Sequence, residues 1–234
     1  MTEYAGHELE LFQHAVNWKR YWGSRISPYL GSTVLEVGAG LGVNAAALIS
    51  SRQRQWHCLE PDPRLEAHIR EKIECGSLPS TCSTRVGTID DIPADETYET
   101  ILYIDVMEHI AADAAELAKA AAHLATGGHL IILSPAFQAL YSPFDAAIGH
   151  HRRYTRSTLA QLGAEAPLTQ VKIYYLDSVG FLASGANRFF LRKSTPTLRQ
   201  VHFWDRAMIP VSRFLDPLLF HSLGKTVVGV WRKT

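Results

Sequence analysis

The sequence predicts a doubly wound α/β fold: a mostly parallel, seven-stranded sheet covered by helices on both faces, with a helical insertion before the last strand. Three observations carry this reading. Short apolar segments alternate with alanine-rich or amphipathic ones from residue 33 to residue 133. The apolar segments are nearly continuous, as strands buried on both faces are. The first of them runs into a glycine-rich turn, Gly38-Ala39-Gly40-Leu41-Gly42, with a helical segment behind it.

Taken in order, residues 1–32 read as an N-terminal helical cap, with Tyr21 and Trp22 ahead of the first strand. Residues 33–37 are that strand, and 44–51 form a helix rich in Ala and Leu. Residues 55–59 make the second strand, which ends at Glu60-Pro61-Asp62-Pro63. Residues 64–74 are helical, with Gly76 as a stop signal. A weaker strand at 84–87 precedes a strong one at 98–104 and an alanine-rich helix at 113–124. Thr126-Gly127-Gly128 is expected to turn the chain into the strand 129–133. Beyond Pro135 the rhythm changes. Residues 136–155 read as one long connection, and a connection that long in a compact domain is usually functional. A helix at 158–162 and a strand at 170–176 follow. Residues 178–222 are aromatic, basic and interrupted by Pro196, Pro210 and Pro217, which suggests short amphipathic helices laid over the sheet. Residues 225–233 alternate as a last strand, so the chain 1–234 reads as one domain.

Composition bounds the function. With 234 residues, 47% apolar and 20% charged, the chain has enough to bury a core. A net charge of zero gives no whole-chain case for nucleic acid. No apolar run reaches the ~18 residues of a spanning helix, and the acidic, polar start is unlike a signal peptide. Three cysteines, Cys58, Cys75 and Cys82, show no zinc spacing. A reduced, cytoplasmic protein without a metal site is expected. The neutral total hides an asymmetry: residues 178–234 carry nine Lys/Arg against two acids, and the preceding residues 14 against 21. Such a basic part is either a solvated face or a surface for an anionic partner.

The glycine turn carries the strongest chemical signal. A dinucleotide turn needs G-x-G-x-x-G, but the third glycine position holds Val43. Glu36, before the first glycine, would repel a pyrophosphate. It suits a ligand with a cationic amino group beside a carboxylate, which describes S-adenosylmethionine. The helix behind the turn offers free N–H groups to an anion. Glu60, at the end of the second strand, is placed to accept ribose hydroxyls, or to act as a charge at a helix N-terminus.

These residues, with Thr88-Ile89-Asp90-Asp91-Ile92-Pro93, the strand end Tyr103 to Ile110, and Leu124-Ala125-Thr126-Gly127-Gly128, resemble the class I methyltransferases over most of the chain. The resemblance implies a Rossmann-like methyltransferase fold, S-adenosylmethionine as cofactor and S-adenosylhomocysteine as product. It implies cofactor contacts from Tyr21, Glu36, Gly38, Ala39, Gly40, Glu60, Pro61, Ile89, Asp90, Asp105, Val106 and His109. A narrower resemblance, carried by Gly149-His150-His151-Arg152-Arg153-Tyr154, is to a bacterial methyltransferase type 11/12-like subgroup with a G-H-x-R-R-Y signature. Its members often occur beside glycosyltransferases of lipid-linked sugar pathways.

The expected reaction is methyl transfer to oxygen or carbon of a small-molecule acceptor, anionic or sugar- or lipid-linked. His150 and His151 are the candidate bases, since histidine titrates near neutrality. His109 is a third candidate, or a structural pin. Arg152 and Arg153 could clamp an anion by bidentate pairing, or pair with an acid such as Asp145. Tyr154 could donate to the substrate or merely pack. The aromatics Phe181, Phe189, Phe190, Phe203, Trp204, Phe214 and Phe220 read as core of the insertion, or as an apolar acceptor pocket or interfacial surface with peripheral membrane contact through 178–222. No nucleic-acid partner is expected. Two other readings stay open here: a nicotinamide-dependent oxidoreductase on a similar sheet, and a non-catalytic adenosyl-binding or membrane-associated protein.

Overall fold

Seven apolar segments pair into one sheet in the computed structural model, which describes residues 7–186 and 196–234. The strands are β1 (Thr33–Val37), β2 (Gln55–Glu60), β3 (Cys82–Val86), β4 (Tyr98–Ile104), β5 (Leu124–Pro135), β6 (Leu168–Leu176) and β7 (Thr226–Lys233), in the spatial order β3-β2-β1-β4-β5-β7-β6. Strands β1 to β5 pair in parallel. Only β7 runs against its neighbours, between β5 and β6. This is the mostly parallel sheet that the continuous apolar runs predict.

Residue parity divides the core between the two faces. Val34, Trp56, Leu102, Ile104, Ile131 and Leu133 point to one side. There they meet α2 (Val16–Ile26), α3 (Val43–Leu48) and α4 (Pro63–Glu74) through Trp22, Ala45 and Ile69. Leu35, Val37, Ile101, Tyr103, Leu130 and Ile132 point the other way. They meet α5 (Asp113–Ala122) and α7 (Arg156–Ala164) through Leu117, Ala120, Leu159 and Leu162. Period two along each strand produces both layers. Burying one such aliphatic side chain contributes about 1.5–3 kcal/mol before entropy is counted.

Two expectations change. Thr126-Gly127-Gly128 is not a turn between elements but an irregularity inside β5. Tyr98 pairs with Leu124 and Thr100 with His129, so the extra residues of β5 loop out at Gly127, whose φ is +78°. The connection 136–155 is also more structured than expected. Ala136 pairs with Tyr154 in an isolated parallel bridge, and α6 (Pro143–Ala147) starts at a capping box made by Ser142 and Asp145.

The other helices are α1 (His7–Phe12), α8 (Ser178–Ala186), α9 (Leu198–Phe203) and α10 (Ile209–Leu218). Helix α9 passes through a π turn at Trp204–Met208 directly into α10. The turn sits just before Pro210, which has no N–H to give the helix ladder. The two acids of this segment face inward. Asp205 accepts the N–H groups of Asn17 (3.2 Å) and Trp18 (2.8 Å) in the first turn of α2, and so caps that helix from a distant part of the chain. Asp216 accepts Tyr21 Oη (2.8 Å) and the N–H groups of Asp177 and Ser178 (2.7 and 3.0 Å). The insertion is thereby bound to both the cap and the sheet. Phe189 and Phe190 lie outside the described residues. Among the described residues, no helix is long and apolar enough to cross a membrane.

Candidate active site

A cavity of about 1860 Å³ opens beyond the carboxyl ends of β1, β2 and β4. That is where the strand order reverses, from β3-β2-β1 on one side to β4-β5 on the other, and ligands of doubly wound sheets bind at such points. A single-ligand pocket is roughly 300–1,000 Å³, so this cavity has room for two molecules.

One wall is the turn after β1. Gly38 has φ +69°, and a Cβ there would lie 2.6 Å from Val106 Cγ2, so the close approach of the two strand ends requires glycine. The turn is fixed from within. Gly38 and Ala39 donate their N–H groups to the Leu59 carbonyl (2.8 and 3.2 Å), and Gly40 donates to Glu60 Oε2 (2.7 Å). These three N–H groups are therefore not offered to an anion. Glu60 also accepts the Asp62 N–H at 3.0 Å. Burial raises its carboxyl against the pull of those two bonds. A carboxylate has about four acceptor positions, so Glu60 keeps capacity towards the cavity.

Gly38, Ala39, Gly40, Glu60, Pro61, Asp105, Val106 and His109 all line the cavity. Four expected contacts do not. Glu36 shares the parity of Val34 and is fully buried, with Asn44 Nδ2 and Trp56 Nε1 each donating to it at 3.0 Å. Burial pushes its carboxyl up to about 7. Tyr21 is buried on Asp216, although its neighbours Trp18, Lys19 and Trp22 reach the cavity. Ile89 belongs to the core of the opposite face, and Asp90 is exposed in an ion pair with Lys119 at 2.6 Å.

Across the cavity stands a histidine–carboxylate pair. His150 Nδ1 lies 3.0 Å from Asp145 Oδ1. Asp145 also takes the fork of Arg153, Nε at 2.9 Å and Nη2 at 3.0 Å, and the Ser142 hydroxyl at 2.7 Å. Burial works to raise the Asp145 carboxyl, but the bonds from His150 and Arg153 hold it well below the usual carboxylate range. It is therefore an acceptor, and the network assigns the His150 proton to Nδ1. Nε2 lies 3.9 Å from Glu108 Oε1. Glu108 is fully buried. Its Oε2 accepts Ser134 Oγ at 2.7 Å, and its Oε1 has no hydrogen-bond partner. The His109 ring stands edge-on to His150 at 4.5 Å, and burial holds it down to about 4, so it is neutral at pH 7. Glu108, His109 and His150 bring one donor atom each to within 4.8 Å, the donor types of a two-histidine, one-carboxylate metal site.

Of the expected catalytic residues, His150 and Arg153 line the cavity. Arg153 is no anion clamp, because its fork is on Asp145. Arg152 lies outside the cavity, paired with Asp113 at 2.7 Å. The His151 ring is exposed to solvent, while its N–H donates to the Glu108 carbonyl. Tyr154 is buried and donates to Asp113 at 2.7 Å, so it pins the start of α5. Sequence reading missed Lys19, Glu108 and Lys225. Asp105 and Lys19 both line the cavity and feel each other's charge: loss of solvent around them raises Asp105 to about 6 and lowers Lys19 to about 8, against that attraction. Lys225 Nζ lies 4.9 Å over the Trp204 ring. No sequence motif marks Lys19, while Lys225 ends the segment Leu223-Gly224-Lys225, which resembles the G-H-x-R-R-Y subgroup but carries no role there.

A sequence profile of the methyltransferase domain matches residues 12–173. The chain belongs to that family, the class I methyltransferases whose methyl donor is S-adenosylmethionine. No protein of curated function matches it in sequence. Among solved structures, a geranyl diphosphate methyltransferase in complex with S-adenosylmethionine is similar at 12% identity, covering 100% of this chain and 93% of that one, with a TM-score of 0.68. A coclaurine N-methyltransferase shares 13% identity over 93% of this chain and 72% of its own, with a TM-score of 0.64. A 4+2 cyclase is as similar in fold, at 14% identity, 92% and 80% coverage and a TM-score of 0.64. At such identities the likeness is one of fold, and a fold does not fix the acceptor.

Proposed function

We propose that this chain methylates an oxygen or an acidic carbon of a small-molecule acceptor, anionic or lipid-linked, with His150 as the base. The observation that carries the reading is the single cavity shared by the glycine turn with Glu60 and by the Asp145–His150 pair. The residues fit the cofactor: a turn that any Cβ at Gly38 would close, and a buried carboxylate with unused acceptor positions. Family membership decides against the nicotinamide reading.

S-adenosylmethionine supplies, when bound, a methyl group already activated on a sulfonium. Gly38–Gly40 and Val106 would shape its place, Glu60 would accept hydroxyls from it, and Asp105 would meet its positive charge. The acceptor atom must then be held about 3–3.5 Å from the methyl, in line. As the methyl passes to the acceptor atom and the bonding pair stays on sulfur, leaving S-adenosylhomocysteine, His150 Nε2 would take the acceptor's proton and Asp145 would stabilise the resulting imidazolium through Nδ1. Trp18, Trp22 and Trp204 exclude water. Arg199 and Lys225, which line the insertion end of the cavity, supply positive charge for an anionic acceptor. The likeness of residues 149–154 to the G-H-x-R-R-Y subgroup supports a lipid-linked acceptor.

The test uses methyl-labelled S-adenosylmethionine and host extract split into lipid, aqueous small-molecule and macromolecular fractions. Label entering the lipid or small-molecule fraction, and not with Gly40→Asp, supports the reading. Label in macromolecules overturns the acceptor class. Saturable cofactor binding without transfer to any fraction overturns the catalytic role.

A further inference from the structure

We infer that the outer face of the helix running from α9 through α10 docks on an anionic lipid bilayer, lying in the headgroup plane beside the cavity mouth. Eight of the eleven large apolar side chains exposed among the described residues fall between Leu182 and Phe220. They are ordered. Along residues 198–218 the buried positions are Val201, Asp205, Ile209, Ser212 and Asp216. The opposite side presents Phe203, Val211, Phe214 and Leu218, with Phe203 and Phe214 65% and 70% exposed. Beside that stripe, Arg199, Arg206 and Arg213 repeat every seven residues, all exposed.

Both acids of residues 178–222 are Asp205 and Asp216, and both are turned inward on α2 and on the start of α8. The outward surface of the insertion therefore shows cations and no acid among the described residues. An apolar stripe flanked by arginines is the pattern of an interfacial helix, and the negative leaflet supplies the complementary charge. A second copy fits worse. An isologous pair sets the same patch against itself, arginine row against arginine row. Arg199, Phe203 and Trp204 also line the cavity, so the docked face is continuous with its mouth. That docking feeds an acceptor with an apolar tail into the site rests on the methyl-transfer reading. The docking itself does not.

The test is cosedimentation of the full chain with phosphatidylcholine vesicles, alone and with about one-third phosphatidylglycerol. The anionic vesicles should bind about tenfold more strongly or better, and the gain should fade as salt shortens the screening length. Phe214→Ser with Leu218→Ser should abolish binding, and Arg206→Gln with Arg213→Gln should remove the preference for anionic lipid. None of these four side chains lines the cavity, so cofactor binding by calorimetry should stay unchanged and reports intact folding. Equal binding to both vesicles, or binding to neither, overturns the inference. So does a dimer in light scattering that Phe214→Ser converts to monomer. Loss of methyl transfer with vesicle binding intact would instead count against the proposed function alone.

Discussion

In the proposed reaction the two ring nitrogens of His150 have different tasks, and two carboxylates make the difference. Asp145, ionised by its hydrogen bonds, fixes the proton on Nδ1. Burial raises the Glu108 carboxyl well above the usual carboxylate range, which weakens it as a competitor for a proton at Nε2. His150→Ala should therefore lower kcat by about 10²–10⁴-fold with cofactor affinity unchanged, measured by initial rates and calorimetry. Asp145→Asn should lower kcat and shift the ascending limb of the pH–rate profile, which a purely structural role would not do. A carboxyl held up by burial must also give up its proton to ligate a metal, which weakens Glu108 as a ligand. Dialysis against a chelator should leave turnover unchanged, and a loss restored by zinc would transfer the task of His150 to a metal. Glu36 makes a separate prediction about stability. Its carboxyl rises from 4.5 to about 7 on folding, so the folded state holds the proton more tightly. That contribution is complete below pH 4.5 and declines as pH rises through 7. Between pH 5 and pH 8 the Tm of Glu36→Gln should fall less than that of the parent. Comparing slopes cancels the uniform effect of exchanging one acceptor oxygen for an amide. The acid-before-glycine pattern named Glu36 as a cofactor contact. The parity it shares with Val34, equally readable in the sequence, places it on the helix-covered face instead.

Elements were legible where their pattern was local. Strands and helices between 33 and 133 follow from apolar runs, and their ends move by only a few residues. The departures arise where one residue type serves two geometries. Gly127 signals a turn, but three residues looped out of a strand need the same left-handed backbone. The box at Ser142 and Asp145 closes with aspartate rather than the glutamate or glutamine usual in that position, so α6 read as loop. The insertion was legible as amphipathic helices, but what attaches it was not. Asp205 caps α2 from 188 residues away, and no periodicity reports a cap supplied from such a distance. Asp205→Ala leaves two N–H groups in the first turn of α2 without their acceptor. A loss of about 2–4 kcal/mol follows from buried bonds to a charged group. At about 2–4 °C per kcal/mol in a chain of this size, Tm should fall by roughly 5–15 °C. Asp205→Asn, which keeps one acceptor oxygen, should lose distinctly less in the same melts.

At the scale of the molecule the cavity has two ends with different histories in the sequence. The proposed cofactor end is built from consecutive residues after β1, β2 and β4, and consecutive residues are legible as a pattern. The proposed acceptor end draws Lys19 from the cap, Glu108 from the turn after β4, Asp145 and His150 from the long connection and Lys225 from beyond the insertion. Their proximity is a property of the sheet order, which brings β7 next to β5 and so sets Lys225 beside Ala136. The same assembly couples ligand binding to stability. Phe12 of the cap meets Trp204 of the insertion edge-on at 6.1 Å and Trp18 meets the same ring at 5.6 Å, so cap and insertion join over the cavity. A ligand that touches the sheet end, the cap and the insertion together binds only the folded, closed arrangement. S-adenosylmethionine at about 100 times its Kd should then stabilise the chain by about 2.7 kcal/mol, a rise in Tm of roughly 5–11 °C. Glu60→Ala, which removes charged hydrogen bonds contributing about 1.5–3 kcal/mol each, should abolish that rise at the same concentration. Limited proteolysis separates the global from the local part of the effect: cofactor should slow cleavage within the cap and the insertion more than within the loops of the opposite face. Equal slowing everywhere would mean that the ligand reports only on global unfolding, and that cap and insertion do not close over it.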